Sequence, residues 1–301
     1  MTQKSDSLLF RSVSHPGLTI KERHSSLMAL LRSVHLHVVQ HIRKARWWLV
    51  VPISIVTTYL LLGSMLALAA QRALPLNIWD ALFNVFGNQY LLFFCLTPLY
   101  LYLVSDLATD SRFSEALLLR LGSRRAWWIG KVATLGIVTG IYLGVLVAVA
   151  MSMASFVLPW ESGWSAKTVQ YPIETYLPPE ALTFAPGAAF GMLVVLLGLG
   201  WFCLGLAVVV GGRVFGSARW GFMIGLLINM SAIFLVHTYV PPPYDSFFVN
   251  YHMMFTYHAF GDSTSEYPSI ATSLLYWLVW IIVLFPSGWW LNARHDFLRH
   301  E

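Results

Sequence analysis

Six long apolar runs constrain the fold of this 301-residue chain more than any other feature. Each is about 20 residues or longer, the length at which an α-helix crosses the roughly 30 Å hydrocarbon core of a bilayer. None of them contains Asp, Glu, Lys or Arg; they are residues 48–70, 86–105, 132–158, 186–210, 220–239 and 270–291. The sequence therefore predicts an all-α integral membrane protein with six transmembrane helices, the second of them kinked at Pro98.

The low content of charged residues agrees with this fold class. Charged residues make up 11% of the chain, whereas soluble domains carry about a quarter. This composition excludes a disordered chain and argues against a soluble enzyme. The formal net charge of +5 would suggest nucleic-acid binding in a soluble protein, but in a membrane protein it reports topology, so no nucleic-acid partner is expected.

The positive residues are sorted to one side of the predicted spans. Of the 19 Lys and Arg residues, only Arg72 and Lys167 fall in the loops that follow the first, third and fifth runs. Because cytoplasmic loops carry an excess of Lys and Arg, both termini are predicted to be cytoplasmic in a multi-pass protein of the cell membrane. No cleavable signal peptide is expected at the N-terminus.

The flanking segments complete the predicted architecture. Residues 1–46 form a cytoplasmic N-terminus, in which 25–46 place apolar residues on one face and predict an interfacial amphipathic helix. Residues 47–293 form the six-helix transmembrane domain, and 294–301 form a short cytoplasmic tail. Residues 241–268 are aromatic, Met-rich and free of Lys and Arg, which predicts an outer re-entrant hairpin before the last span.

Motifs for covalent chemistry are absent from the sequence. It contains no GxxxxGK[ST] phosphate loop, no HExxH, no CxxC and no GxSxG, and its apolar runs hold no carboxylate pair. The chain is therefore not predicted to be an enzyme, and no cofactor or metal is expected on it. His37 and His41 have a chelating spacing but no third ligand, so a polar helix face is favoured for them.

A few other residues are candidates for a pathway or an interface. Asn229 in the fifth run, and His252 and His258 in the outer hairpin, could line a pathway; for Asn229 an interhelical hydrogen bond is favoured. The third run carries small residues at a spacing of four, Gly136, Gly140 and Gly144. Helix packing within one chain is favoured there over a dimer interface or a transport pathway.

The loop between the second and third runs, residues 106–131, contains a predicted amphipathic helix. Asp110 is a suitable N-cap and Gly122 a suitable stop, and Phe113, Leu117 and Leu121 recur on one face. This pattern fits a docking element for a cytoplasmic partner and a helix lying on the lipid surface equally well.

Three fragments of this loop resemble the intracellular loop of permease subunits in bacterial type-2 ABC exporters. They are Ser105-Asp106, Leu119-Arg120-Leu121-Gly122-Ser123-Arg124 and Trp128-Ile129-Gly130-Lys131. The resemblance implies a coupling helix that docks in a separate ATPase subunit, which would bind ATP and Mg²⁺. It implies ATPase contacts by Arg112, Phe113, Glu115, Leu117, Leu118 and Arg120, and pairing with a second permease chain as a homodimer or heterodimer.

The resulting hypothesis is a permease subunit of an ATP-driven exporter, with an amphipathic cargo such as a peptide antibiotic, a drug or a lipid-like molecule. Two alternatives remain open. One is a membrane-embedded enzyme that uses His252 and His258 on the outer face, and the other is a non-transporting sensor or assembly subunit.

Overall fold

A computed structural model of the protein describes residues 20–109, 123–231, 247–261 and 267–294. Within these ranges the regular structure is helical, apart from one isolated bridge between Ala259 and Ser269. The helices are α1 (Ile20–Ile42), α2 (Val50–Arg72), α3 (Ile78–Gly87), α4 (Gln89–Ala108), α5 (Arg124–Ser155), α6 (Ala166–Gln170), α7 (Pro186–Val214), α8 (Ala218–Met230), α9 (Val249–Met253) and α10 (Ile270–Arg294). The predicted all-α fold class is therefore confirmed.

Five of the described helices are long and apolar enough to cross a membrane. They are α2 with the 3₁₀ turn before it, α4, α5, α7 and α10, and they match the first four apolar runs and the sixth. Helix α8 covers the beginning of the fifth run, whose residues from 232 onward lie outside the described residues. The structure thus supports a membrane protein with five candidate spans, and the sixth span stays a prediction.

Helix α7 is the most buried of these five helices and forms the centre of the bundle. Its Trp201 lies between two tyrosines, with ring centroids 5.9 Å from Tyr100 of α4 and 5.1 Å from Tyr142 of α5. All three rings are fully buried. Large aromatic side chains with a polar tip suit this position, because their rings fill the core while the indole N–H of Trp201 donates to Thr97 Oγ1 at 2.9 Å.

The irregularity predicted at Pro98 takes the form of a π-helical turn. Residues Leu92–Leu96 have π geometry, and the Thr97 N–H bonds to the Leu92 carbonyl five residues back. In this register the Phe93 carbonyl would accept from the N–H of residue 98, which proline lacks. The turn therefore leaves the Phe93 carbonyl without a donor from its own helix.

Helix α5 begins at Arg124, so residues 124–131 belong to the helix and not to the loop. The helix thus begins eight residues before the apolar run 132–158, and residues 124–131 of the predicted coupling segment, 106–131, are helical. Ser123 caps the helix by accepting from the Ala126 N–H at 3.4 Å. The basic side chains of this first stretch are accommodated on indole rings, as for Arg125, whose guanidinium lies 5.3 Å from the Trp289 ring centroid.

Helix α1 is present where an amphipathic helix was predicted, but its buried face differs from the prediction. Of the apolar residues along this helix, Val34 and Val38 are buried but Leu27 and Leu31 are exposed, and His37 and His41 are buried. The reason is the packing of α1 on α5, where Gly130 leaves room for the Leu30 and Val34 side chains. The interpretation of the two histidines as a polar helix face is therefore wrong.

Helix α3 was not predicted, since residues 71–85 were assigned to a loop. Nearly every residue of α3 is buried against neighbouring helices. Its start is fixed by a capping box: the Asn77 side chain accepts from the Trp79 N–H, and the Asp80 carboxylate accepts from the Asn77 N–H at 2.7 Å.

The two ends of the bundle differ in charge, and we name them the basic end and the acidic end. The basic end carries Lys44, Arg46, Arg124, Arg213 and Arg294. The acidic end contains the loop 156–185 between α5 and α7 and the segment 247–261, and its charges are mainly carboxylates.

Candidate functional site

The six residues predicted to contact an ATPase lie outside the described residues. They are Arg112, Phe113, Glu115, Leu117, Leu118 and Arg120, and the whole stretch 110–122 is not described. The structure does describe both flanks of this stretch, at the end of α4 and the start of α5. Each flank is held by a different set of contacts.

The flank at the end of α4 is fixed by an ion-pair cluster. Asp106 accepts from Lys44 Nζ at 2.6 Å and also pairs with the Arg46 guanidinium. Arg46 Nη1 in turn donates to the Tyr102 carbonyl at 3.0 Å. Because Lys44 and Arg46 immediately precede α2, this cluster joins the first two candidate spans at the basic end.

The flank at the start of α5 is fixed by close packing on α10. The Trp128 indole is buried and donates to the Phe285 carbonyl at 3.1 Å. It occupies the space above Gly288, where a Cβ would overlap with the ring. Arg124 Nη1 adds a hydrogen bond of 2.8 Å to the Ala293 carbonyl. Both flanks of residues 110–122, the end of α4 and the start of α5, are therefore held by contacts with other helices.

Two basic side chains at this end share one aromatic ring. Lys131 Nζ lies 4.3 Å and the Arg213 guanidinium 4.7 Å from the Trp127 ring centroid. All three side chains are buried. A cation over an indole face is stabilised by the ring quadrupole, which makes burial of these charges on α5 and α7 tolerable.

The predicted outer hairpin is described in part, over 247–261 and 267–268. Its helix α9 is buried throughout and reaches the midpoint of α7, where the Met253 side chain fills the space above Gly200. Asn250 Nδ2 donates to the Asn229 carbonyl at 2.9 Å. Helix α9 thus lies at the depth of the middle of α7, and the re-entrant hairpin stays a prediction.

Asn229 makes the interhelical hydrogen bond favoured by the sequence. Its Nδ2 donates to the Phe93 carbonyl at 2.7 Å, and the residue is fully buried. The acceptor is the carbonyl that the π turn and Pro98 leave without a helical donor. The side chain thus joins α8 to α4, and a role in a pathway stays a prediction.

His252 and His258 converge on one hydroxyl group. Ser273 Oγ, at the start of α10, lies 2.8 Å from both His252 Nδ1 and His258 Nε2. His258 Nδ1 lies 2.9 Å from the Met254 carbonyl, and because a carbonyl only accepts, this nitrogen carries the proton. The serine then donates to His258 Nε2 and accepts from His252 Nδ1.

This chain of hydrogen bonds requires a neutral His258. Burial lowers the pKa of His258 to about 4, so the imidazole is neutral at physiological pH. His252 is further fixed by stacking on the Tyr276 ring, with centroids 3.9 Å apart. The three polar residues are buried, and together they attach the segment 247–261 to α10.

The three spaced glycines on α5 differ in what they contact among the described residues. Gly136 lies near the Phe202 ring, whereas Gly140 and Gly144 are exposed. No atom of the described residues lies within 4 Å of a Cβ built on either of them. Packing within the chain is therefore seen at Gly136, and for Gly140 and Gly144 the favoured interpretation stays a prediction.

Sequence reasoning missed a buried polar cluster around Asp80 at the acidic end. Asp80 is 1% exposed, and its Oδ1 accepts from Ser165 Oγ at 2.7 Å and from Thr168 Oγ1. Asn77 Nδ2 also donates to the Gly163 carbonyl at 2.9 Å. The cluster ties the loop 156–185 onto α3; the spacing Asn77-x-x-Asp80, a capping-box pattern, could have revealed it.

The structure shows no metal site among the residues described. No group of three or more His, Cys, Asp or Glu side chains within 20–109, 123–231, 247–261 and 267–294 could hold an ion. His41 contacts the Trp47 ring edge-on at 5.8 Å between centroids. Burial and the nearby Arg46 lower the pKa of His41 to about 3.

Comparison with known proteins gives a distant similarity. The chain is 27% identical over 227 residues to the uncharacterized protein BH0177 of Halalkalibacterium halodurans, an alignment covering 73% of this chain and 80% of that protein. No family model matches the chain, and no solved structure matches it. The similarity extends over most of both chains and identifies no activity, ligand or partner.

Proposed function

We propose that this chain is the permease subunit of an ATP-driven exporter of the type-2 ABC class. It would form the translocation pathway in the cell membrane and would couple to a separate ATPase subunit that holds ATP and Mg²⁺. The chain supplies no covalent chemistry in this proposal. Its cargo is amphipathic, in keeping with apolar runs that contain no charged residue.

The observation that carries the proposal is the anchoring on both sides of residues 110–122. This stretch holds the proposed coupling helix, with Arg112, Phe113, Glu115, Leu117, Leu118 and Arg120 as ATPase contacts. A segment that transmits force must move together with the helices it joins. The Asp106 cluster ties one flank to α2, and the Trp128–Gly288 contact ties the other to α10. Movement of the segment would therefore shift several spans together.

Two further features support the same architecture. The buried α9 beside the midpoint of α7 is what the outer re-entrant hairpin of this class requires. The concentration of Lys and Arg at the basic end supports a cytoplasmic location for that end and for both termini. The acidic end would then face outward.

A second permease chain would complete the pathway. The exposed glycines Gly140 and Gly144 on α5 offer a surface that another helix could approach closely, with Gly136 on the same ridge. Within the proposal, this ridge is the candidate seam of the dimer.

The proposal is tested by purifying the tagged chain from its native host in a mild detergent. We expect a stoichiometric second subunit whose sequence contains a GxxxxGK[ST] phosphate loop. Absence of any nucleotide-binding subunit, under conditions that keep known membrane complexes intact, would overturn the proposal. A bound ATPase whose hydrolysis responds to no cargo would instead favour the non-transporting sensor or assembly subunit.

One observation favours a second candidate, a membrane-embedded enzyme. Ser273 donates to the neutral His258, which is the geometry of a serine activated by a general base. The His258 Nδ1–H donates to a main-chain carbonyl and not to a carboxylate, and Ser273 is fully buried. If the chain is an enzyme of this kind, its activity requires no ATPase, and Ser273→Ala abolishes that activity. If the cluster is purely structural, Ser273→Ala only lowers the thermal stability.

A further inference from the structure

A pocket of about 280 Å³ opens at the acidic end between two loops of the chain. One wall comes from residues 173–180 and the other from residues 256–260 with Tyr267. The two walls are joined by a hydrogen bond of 2.8 Å from Thr256 Oγ1 to the Tyr176 carbonyl. Within the second wall, the Ala259 N–H donates to the Pro268 carbonyl at 3.1 Å and joins the two ends of that loop. The pocket is therefore preformed.

The lining combines apolar and aromatic surface with a single ionised group. Ile173, Phe260 and Tyr267 contribute apolar or aromatic surface, and Glu180 contributes the carboxylate. Glu180 is exposed and forms no ion pair with the described residues. His258 also lines the pocket, and since its pKa is lowered to about 4 by burial, it carries no positive charge at neutral pH.

The two basic residues of this end, Arg72 and Lys167, do not line the pocket. Arg72 Nη1 binds Glu174 at 2.7 Å, and its guanidinium lies over the Tyr171 ring. Lys167 is buried near Asp80. Nothing basic in the described lining competes for Glu180.

We propose that this pocket binds an amphipathic organic cation, whose charged group pairs with Glu180 and whose apolar body contacts Phe260 and Tyr267. A carboxylate beside aromatic faces is the arrangement that favours quaternary and substituted ammonium groups, because ring and carboxylate attract the same charge. An anion of the same size would meet the carboxylate without a compensating donor. A neutral ligand would gain only the apolar contact.

The inference goes beyond the exporter proposal and does not depend on it, since every element of the pocket belongs to this chain. Loss of the ATPase partner would leave the binding unchanged, and loss of cation binding would leave the ATPase association unchanged. The two proposals therefore fail independently.

The test is isothermal titration calorimetry on the full-length chain, purified in a non-ionic detergent. The probe is benzyltrimethylammonium, and the matched control ligand is benzenesulfonate, an aromatic anion. We expect binding of the cation alone, and a loss of affinity of about five-fold or more in Glu180→Gln, which keeps the shape and removes the charge. Glu161→Gln removes an exposed carboxylate of the same end that does not line the pocket, and the glutamine oxygen can still accept from Asn77 Nδ2, so the affinity is expected to stay unchanged.

Three results would overturn the inference: no cation binding by the unmodified chain, equal binding of the two ions, or equal affinity loss in Glu161→Gln and Glu180→Gln. If Glu180→Gln does not fold, Tyr267→Leu serves in its place. This variant removes an exposed ring from the lining, and we expect about three-fold weaker cation binding. An unchanged affinity in Tyr267→Leu would count against the inference.

Discussion

At the scale of single residues, Pro98 and Asn229 show how a local defect is compensated across the bundle. The π turn over Leu92–Leu96 and the missing N–H of Pro98 leave the Phe93 carbonyl without a helical donor. Asn229, 136 residues further along the chain, supplies that donor at 2.7 Å. The sequence suggested an interhelical hydrogen bond from Asn229, but its partner depends on a main-chain geometry that periodicity does not reveal.

This compensation predicts a specific rescue. Asn229→Leu keeps the branching at Cγ and removes the donor, so we expect about 1–2 kcal/mol of lost stability from the carbonyl left unpaired. Pro98→Ala restores an N–H beside the same carbonyl, and we expect the double variant to recover part of the loss. The measurement is the apparent melting temperature of the four proteins in one detergent. Strictly additive effects of the two substitutions would contradict the rescue.

The two buried histidines predict a dependence of stability on pH. Burial lowers the pKa of His258 to about 4 and, together with Arg46, that of His41 to about 3, whereas an unfolded histidine titrates near 6.5. Between pH 6.5 and about 4 the unfolded chain binds more protons, so the stabilisation present above pH 6.5 is lost as the pH falls.

Melting temperatures of the unmodified chain are therefore expected to fall between pH 7 and pH 4. His258→Gln and His41→Gln are each expected to make this fall shallower, because each removes one group that must stay neutral. The melting temperature of the double variant should fall less between pH 7 and pH 4 than that of either single variant. A slope unaffected by both substitutions would show that these histidines do not titrate differently on unfolding.

At the scale of elements, the length of the apolar runs predicted the long helices well. The short helix α3 and the buried face of α1 depend on tertiary packing, which run length does not reveal. The first four runs and the sixth became α2, α4, α5, α7 and α10 because an apolar stretch of that length has few alternatives to a span. Helix α3 was missed because its 10 residues are too short to span and were assigned to a loop. The face of α1 was misjudged because Gly130 on another helix decides which side chains are buried.

The packing of α9 on α7 predicts a contrast between two glycines of the same helix. A Cβ at Gly200 would overlap with the Met253 side chain, whereas one at Gly191 would meet no atom of the described residues within 4 Å. Gly200→Val is therefore expected to displace α9 and to cost about 1–3 kcal/mol of stability, and Gly191→Val is the matched control. The measurement is thermal stability together with the rate of proteolysis within 247–261; equal effects of the two substitutions would argue against α9 lying at this depth.

At the scale of the whole molecule, the central claim is that residues 110–122 dock a separate ATPase and transmit its movement to the spans. In the proposed exporter, the amphipathic pattern and the resemblance predict where that contact would lie in the sequence, and the anchored flanks at Asp106 and Trp128 would carry movement to α2 and α10. The apolar periodicity of one chain carries no information about the surface of a second protein. The sequence therefore could not predict which ATPase or which cargo the proposed permease would bind.

The most direct test is the amount of ATPase subunit that co-purifies with the unmodified chain and with Phe113→Asp, measured side by side by quantitative mass spectrometry. Phe156→Asp, the same substitution at an exposed phenylalanine near the acidic end, controls for effects on membrane insertion. We predict a stoichiometric ATPase on the unmodified chain and on Phe156→Asp, and at least ten-fold less, about 1.4 kcal/mol of binding free energy, on Phe113→Asp. Equal amounts of ATPase on all three proteins, or none on the unmodified chain, would contradict the central claim.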